Sequence, residues 1–202
     1  MQPFVTQRSI YDRIVKAANS VFDLDARLPA RVFRHKARRI GFFEFDHVLD
    51  AAFWSTIQTI ARGHEDEEVF LLVAEPDPVV YFRQHFHYYG AAQLPVDIVP
   101  EVYMETISAE PLESPADALL YNGQIMTFTG PSGGFGIWCE RELEIGVIGL
   151  FDGRETGTSF ELPSGMIWRS VEDAIQLMAP TFRDRKTPEE LALSLRTHYQ
   201  SA

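Results

Sequence analysis

The sequence predicts an α+β fold built on an antiparallel sheet of about five strands. Residues 119–151 carry that prediction. Short apolar runs (LLY, QIMTFT, FGIWC, LEIGVIGLF) are separated by Asn-Gly, Gly-Pro-Ser-Gly-Gly and Glu-Arg-Glu, so strand follows strand with only a turn between. Capped helical stripes flank the run on both sides. The chain has 202 residues, 46% of them apolar, which is enough for one sizeable core, so a single domain over 1–202 is expected.

Residues 7–22 read as a helix, because Ile10, Ile14, Val15, Ala18, Val21 and Phe22 form one stripe; Ser9 and Asp12 have capping-box spacing. The clearest helix is 47–62, with Asp46 as N-cap, Gly63 as stop and Val48, Leu49, Ala52, Phe53, Ile57 and Ile60 inward. Trp54 falls at the edge of that face. Val69–Ala74 is a buried strand ended by Pro76 and Pro78. Residues 79–89 alternate in a way that favours a strand, and 90–117, with four prolines, reads as an irregular connection holding a short helix near 100–108. The sheet then continues through 117–121, 124–129, 135–140 and 143–150. A polar loop covers 152–165, and Met166–Trp168 is an apolar piece whose tryptophan staples the next helix to the sheet. Helix 170–179 opens on Ser170 and Asp173; helix 187–199 opens on Thr187 as cap and Pro188 at its first turn. The helices are expected mainly on one face of the sheet, leaving the other face or an edge for binding.

Twenty-nine acidic against 18 basic residues give a net charge of −11, which argues against nucleic acid and anionic membranes as partners and favours a basic protein. One segment runs the other way: Arg27, Arg31, Arg34, Lys36, Arg38 and Arg39, with His35, fall within 27–41. It reads as a solvated face pairing with the protein's own acids, or as a patch for a phosphate or an acid. The N-terminal residues lack the pattern of a signal peptide, no apolar run is long enough to span a membrane, and the single cysteine excludes an internal disulfide; a cytoplasmic protein is expected.

The motif most suggestive of chemistry is the glycine-rich Gly130–Gly136. A phosphate loop leads into a helix, whereas Phe135–Cys139 reads as a strand, so these glycines are expected to make a hairpin turn with positive φ. Cys139 has the setting of a buried, inert thiol. His85 and His87, two apart on a strand, would share a face and make a metal pair, with a third ligand from His64, Glu65, Asp66 or Glu67. Glu65, Asp66, Glu67 and Glu68 form an acidic tract between helix and strand, and Glu140, Arg141, Glu142 and Glu144 surround a turn whose tip should leave the carboxylates in water with ordinary pKa values.

The expectation is a non-catalytic cytosolic binding protein, with no cofactor, that presents an acidic surface (Glu65, Asp66, Glu67, Glu68, Glu140, Arg141, Glu142) to a basic protein partner. Inhibitors of the immunity type share this small, acidic α+β profile as a class. The alternatives are an enzyme or a small-ligand or metal-binding protein using His85, His87 and nearby acids, or a subunit that buries an apolar patch in a homo-oligomer.

Overall fold

A computed structural model describes residues 4–112, 114, 117–151 and 169–200. Six strands, β1 (Arg39–Glu44), β2 (Glu68–Glu75), β3 (Ala91–Pro95), β4 (Ile125–Thr129), β5 (Phe135–Glu140) and β6 (Ile145–Leu150), form one sheet in the order β1-β6-β5-β4-β2-β3. Every pairing is antiparallel. The α+β class is therefore as the sequence predicts. The expected strands at 69–74, 124–129, 135–140 and 143–150 are β2, β4, β5 and β6, each within about two residues.

Helices cover both faces, which overturns the expectation that they gather on one. The reason lies in the period of two along the strands. On β2, Val69, Leu71 and Val73 face α2 (Ala51–Gly63) and α4 (Pro100–Ser108), packing with Phe53, Ile57, Tyr103 and Ile107. Phe70 and Leu72 face the opposite way, toward α1 (Arg8–Val21), and share a second core with α6 (Val171–Met178) and α7 (Glu189–Tyr199). Strands β4, β5 and β6 are buried at every residue because both their faces are covered, and the polar side chains they carry, Thr127, Thr129 and Glu140, each have a hydrogen-bond partner.

Several local expectations change. Strand β1 begins at the end of the basic segment, where the sequence predicts no strand, because Phe42 and Phe43 each supply one of the two cores. Residues 79–89 are not a strand: Asp77 accepts from the Val79 and Val80 amides at 2.8 and 2.7 Å, opening a π-helical turn over Pro78–Arg83 that runs into α3 (Gln84–Phe86). The strand expected at 117–121 is instead the short helix α5 (Leu119–Asn122), and β3 occupies part of the expected irregular connection. Trp54 is fully buried rather than marginal, stacked on Tyr103 with ring centroids 5.4 Å apart and donating Nε1–H to the Ile98 carbonyl at 3.0 Å.

The caps shift as well. Asp46 lies in a 3₁₀ turn (Phe45–Leu49), and Asp50 caps α2 through the Ala52 amide at 2.9 Å. Helix α1 begins after Gln7 without a side-chain cap, so Ser9 does not cap it. The Thr187 hydroxyl donates to the Ile175 carbonyl at 2.5 Å, tying α7 to α6 instead of capping α7. The Ser170–Asp173 capping box of α6 forms as expected.

Both sheet edges are partly covered. Phe42 in β1 exchanges two backbone hydrogen bonds with Arg169, at 3.0 and 2.9 Å, and Tyr89, just before β3, bridges to Val5. The loop 152–165 and the piece Met166–Trp168 lie outside the described residues. Among the described residues, no helix is long and apolar enough to cross a membrane.

Candidate functional site

The acidic residues singled out from the sequence do not form one surface. The strand register places residues 64–68 and 130–134 at one end of the sheet and 140–144 at the other.

At the first end, α2 stops in a Schellman motif. The Asp66 amide reaches back to the Ala61 carbonyl at 2.9 Å and the Glu65 amide to that of Arg62 at 3.0 Å, which puts Glu65 in the left-handed region at φ 60°. This geometry turns the chain so that the Asp66 side chain enters the β4–β5 turn. Its Oδ1 accepts from the Ser132 amide at 2.8 Å and its Oδ2 from the Ser132 hydroxyl at 2.7 Å; the Ser132 Oγ in turn accepts from the Gly134 amide at 3.0 Å. Gly130 is required at this approach, since a Cβ there would lie 1.9 Å from Asp66 Oδ2. Gly133 has the positive φ expected of the turn, 65°. The glycine-rich segment is thus a hairpin turn held shut by a carboxylate.

Glu68 is also braced, by Arg13 at 3.3 Å and by the Gln93 amide group. Glu65 and Glu67 remain exposed at the mouth of a cleft of about 420 Å³, walled by Pro95 and Pro131. The expected acidic tract thus divides into two structural carboxylates, Asp66 and Glu68, and two presented ones.

At the second end, the expectation of water-exposed carboxylates at the turn fails for Glu140. It is 7% exposed, and its Oε2 accepts from Trp138 Nε1 and from the Leu28 amide, both at 3.1 Å. Burial pushes its pKa up, against the pull of those two hydrogen bonds and of Arg27. Arg141 is likewise absorbed into the structure: it donates to the Gly123 and Leu120 carbonyls at 3.1 and 2.6 Å and lies over the Phe45 ring at 4.6 Å. Glu142 and Glu144 are the exposed carboxylates of this turn.

His85 sits in α3, and His87 follows it in the left-handed conformation at φ 62°. They are therefore not two same-face residues of a strand, and the spacing argument for a metal pair falls. Among the described residues, no three His, Cys, Asp or Glu side chains are grouped to hold a metal ion. The acid whose field His85 shares is Asp117, not Glu65, Asp66 or Glu67. Hydrogen bonds from Ser114 and Tyr81 hold the Asp117 carboxyl below its ordinary pKa, and Tyr81 in turn is pushed up to about 12. Asp117 Oδ1 accepts from the Tyr81 hydroxyl at 2.7 Å and from Asn122 Nδ2 at 2.8 Å, which ties the π-helical turn to α5. Cys139 is fully buried in β5 and burial raises its thiol pKa strongly, matching the inert reading.

The basic segment 27–41 contributes a second concavity, which composition alone did not reveal. A cleft of about 460 Å³ lies between residues 31–40 and the last turn of α7. Its walls combine residues about 160 positions apart, so no local pattern announces it.

No protein-family model, curated protein or solved structure matches this chain.

Proposed function

We propose that the protein is a non-catalytic cytosolic binding protein of the inhibitor or immunity type, which offers the acidic rim at Glu65–Glu68 to a basic segment of a protein partner. The observation that carries this reading is the cleft of about 420 Å³ lined by four consecutive acidic residues, Glu65 to Glu68, and two prolines, with no cation among its described lining residues. Glu65 and Glu67 are exposed on it, and Glu65 holds the left-handed position after α2, where glycine is the favoured residue and a side chain costs about 1 kcal/mol.

Two features support the same reading. The rim is preorganised, because Asp66 and Glu68 are fixed by Ser132, Arg13 and Gln93, so little ordering entropy is lost on docking. The net charge of −11 steers a cationic partner toward it. Inhibition would follow by occlusion of the partner's basic surface.

The test is affinity capture with the wild-type protein and with Glu65→Lys/Glu67→Lys. The captured protein should associate with the wild type at a rate that falls about tenfold or more with added salt, and should be lost from the double variant. Retention by the double variant, or an association rate indifferent to salt, refutes the proposal.

A further inference from the structure

We propose that the cleft between residues 31–40 and the end of α7 is a binding site for a small phosphorylated ligand. This site is independent of the acidic rim.

Charge is the first argument. The cleft is lined by Arg31, Lys36 and Arg38, with His35 and His198, and no carboxylate lies among its described lining residues. None of Arg31, Lys36 and Arg38 is ion-paired to a carboxylate among the described residues. The reading of this segment as a face that pairs with the protein's own acids holds for Arg27, which meets Glu75 at 3.0 Å, but among the described residues not for these three. Three like charges around one concavity repel each other, and a bound anion relieves that repulsion.

Rigidity is the second argument. The segment is clamped from beneath by buried groups. The Tyr199 hydroxyl, from α7, accepts from the Val32 amide at 2.9 Å and donates to the Ala30 carbonyl at 2.7 Å. Backbone bonds Asp23 N–Val32 O (2.9 Å), Arg34 N–Val21 O (2.9 Å) and Arg38 N–Leu150 O (2.8 Å) pin it along its length. The cations therefore spring from fixed backbone positions, as a preorganised anion site requires. His198 Nδ1 lies 3.1 Å from the Pro29 carbonyl and 3.3 Å from the Ser194 hydroxyl, contacts that orient the ring.

The chemistry selects phosphate over carboxylate and a small ligand over a polymer. Three permanent positive charges exceed what one carboxylate neutralises and suit a di- or polyanion, and guanidinium forks match phosphate oxygens two at a time. A volume of about 460 Å³ with Phe33 in its lining takes a phosphate with a modest organic body. A nucleic acid strand would extend beyond the cleft onto a chain of net charge −11.

The probe is pyrophosphate, titrated into the wild-type protein and followed by calorimetry and by backbone amide shifts. Saturable binding is expected, with the largest shifts at Arg31, Lys36, Arg38 and His198. Arg31→Gln/Arg38→Gln should weaken it about tenfold or more for each cation removed. These side chains are exposed, so the variant should keep the wild-type circular dichroism, and Lys16→Gln on α1 should bind as the wild type does. Glu65→Lys/Glu67→Lys should also bind pyrophosphate normally, which separates failure here from failure of the rim. The proposal is overturned if pyrophosphate does not saturate, if acetate at equal ionic strength binds as well, if the double Gln variant binds unchanged, or if a single-stranded oligonucleotide binds the cleft more tightly than pyrophosphate.

Discussion

Replacing Glu140 by alanine and by glutamine should have opposite consequences. A single oxygen, Oε2, accepts both the Trp138 indole N–H and the Leu28 amide, each at 3.1 Å, and both donor residues are buried, at 0% and 5% exposure. Alanine leaves two buried donors without an acceptor. At about 1–3 kcal/mol for each, the loss is roughly 2–6 kcal/mol, toward the lower figure where water enters the gap. Glutamine retains a carbonyl oxygen at the same place and removes the buried charge, so at neutral pH it should stay within about 1 kcal/mol of the wild type or exceed it.

The pH dependence follows from the direction of the Glu140 shift. Its pKa is raised on folding, so the folded protein holds the proton more tightly than the unfolded chain. The stability this confers is complete below the ordinary carboxylate pKa and is lost as pH rises through the higher, folded value. Stability of Glu140→Gln relative to the wild type should therefore increase across that window and level off above it. Urea unfolding followed by tryptophan fluorescence, repeated from acidic to neutral pH, measures both effects. A glutamine variant as unstable as the alanine variant at neutral pH would refute the reasoning, because it would mean that the charge itself holds Leu28. So would a gap between glutamine and wild type that narrows as pH rises.

Other outcomes test the remaining arguments. Glu65→Gly should raise stability by about 1 kcal/mol in chemical unfolding while weakening partner capture, whereas a loss of stability would remove the strain argument. Gly130→Ala should destabilise by about 1–3 kcal/mol, because the new Cβ displaces Asp66 from Ser132; an unchanged unfolding midpoint would show that the turn does not depend on that carboxylate. Ser170→Ala should cost about 1 kcal/mol through loss of the α6 capping box, read as a fall in Tm of roughly 2–4 °C.

The hairpins from Ile125 to Leu150 were legible because each strand is a short apolar run bounded by turn residues, a signal contained within about ten positions. Residues 79–89 depart from the expected strand for a related reason: in an aromatic-rich stretch, alternation arises without a strand. The deciding signal was the Asp77-Pro78 pair, a helix start. Trp54 looked marginal because its partners, Tyr103 and Ile98, lie far along the chain. Glu140 was placed in water for want of the same information, since its partner Leu28 is 112 residues away. The acidic tract was visible as composition, but only the fold separates Asp66, turned inward to Ser132, from Glu65 and Glu67. The basic segment was noticed as charge, but its cleft needs α7 and so stayed out of reach of local reading.

The covered edges of the sheet bear on how the molecule meets its own copies. A strand from a second chain can extend a sheet only where a row of amide and carbonyl groups is free. On the β1 side, Arg169 already occupies both groups of Phe42 at the middle of the strand, and β3 is short and ends in Pro95, which has no N–H to offer. With α-helices over both faces and these obstacles at the margins, growth into fibres by strand addition finds no continuous template among the described strands.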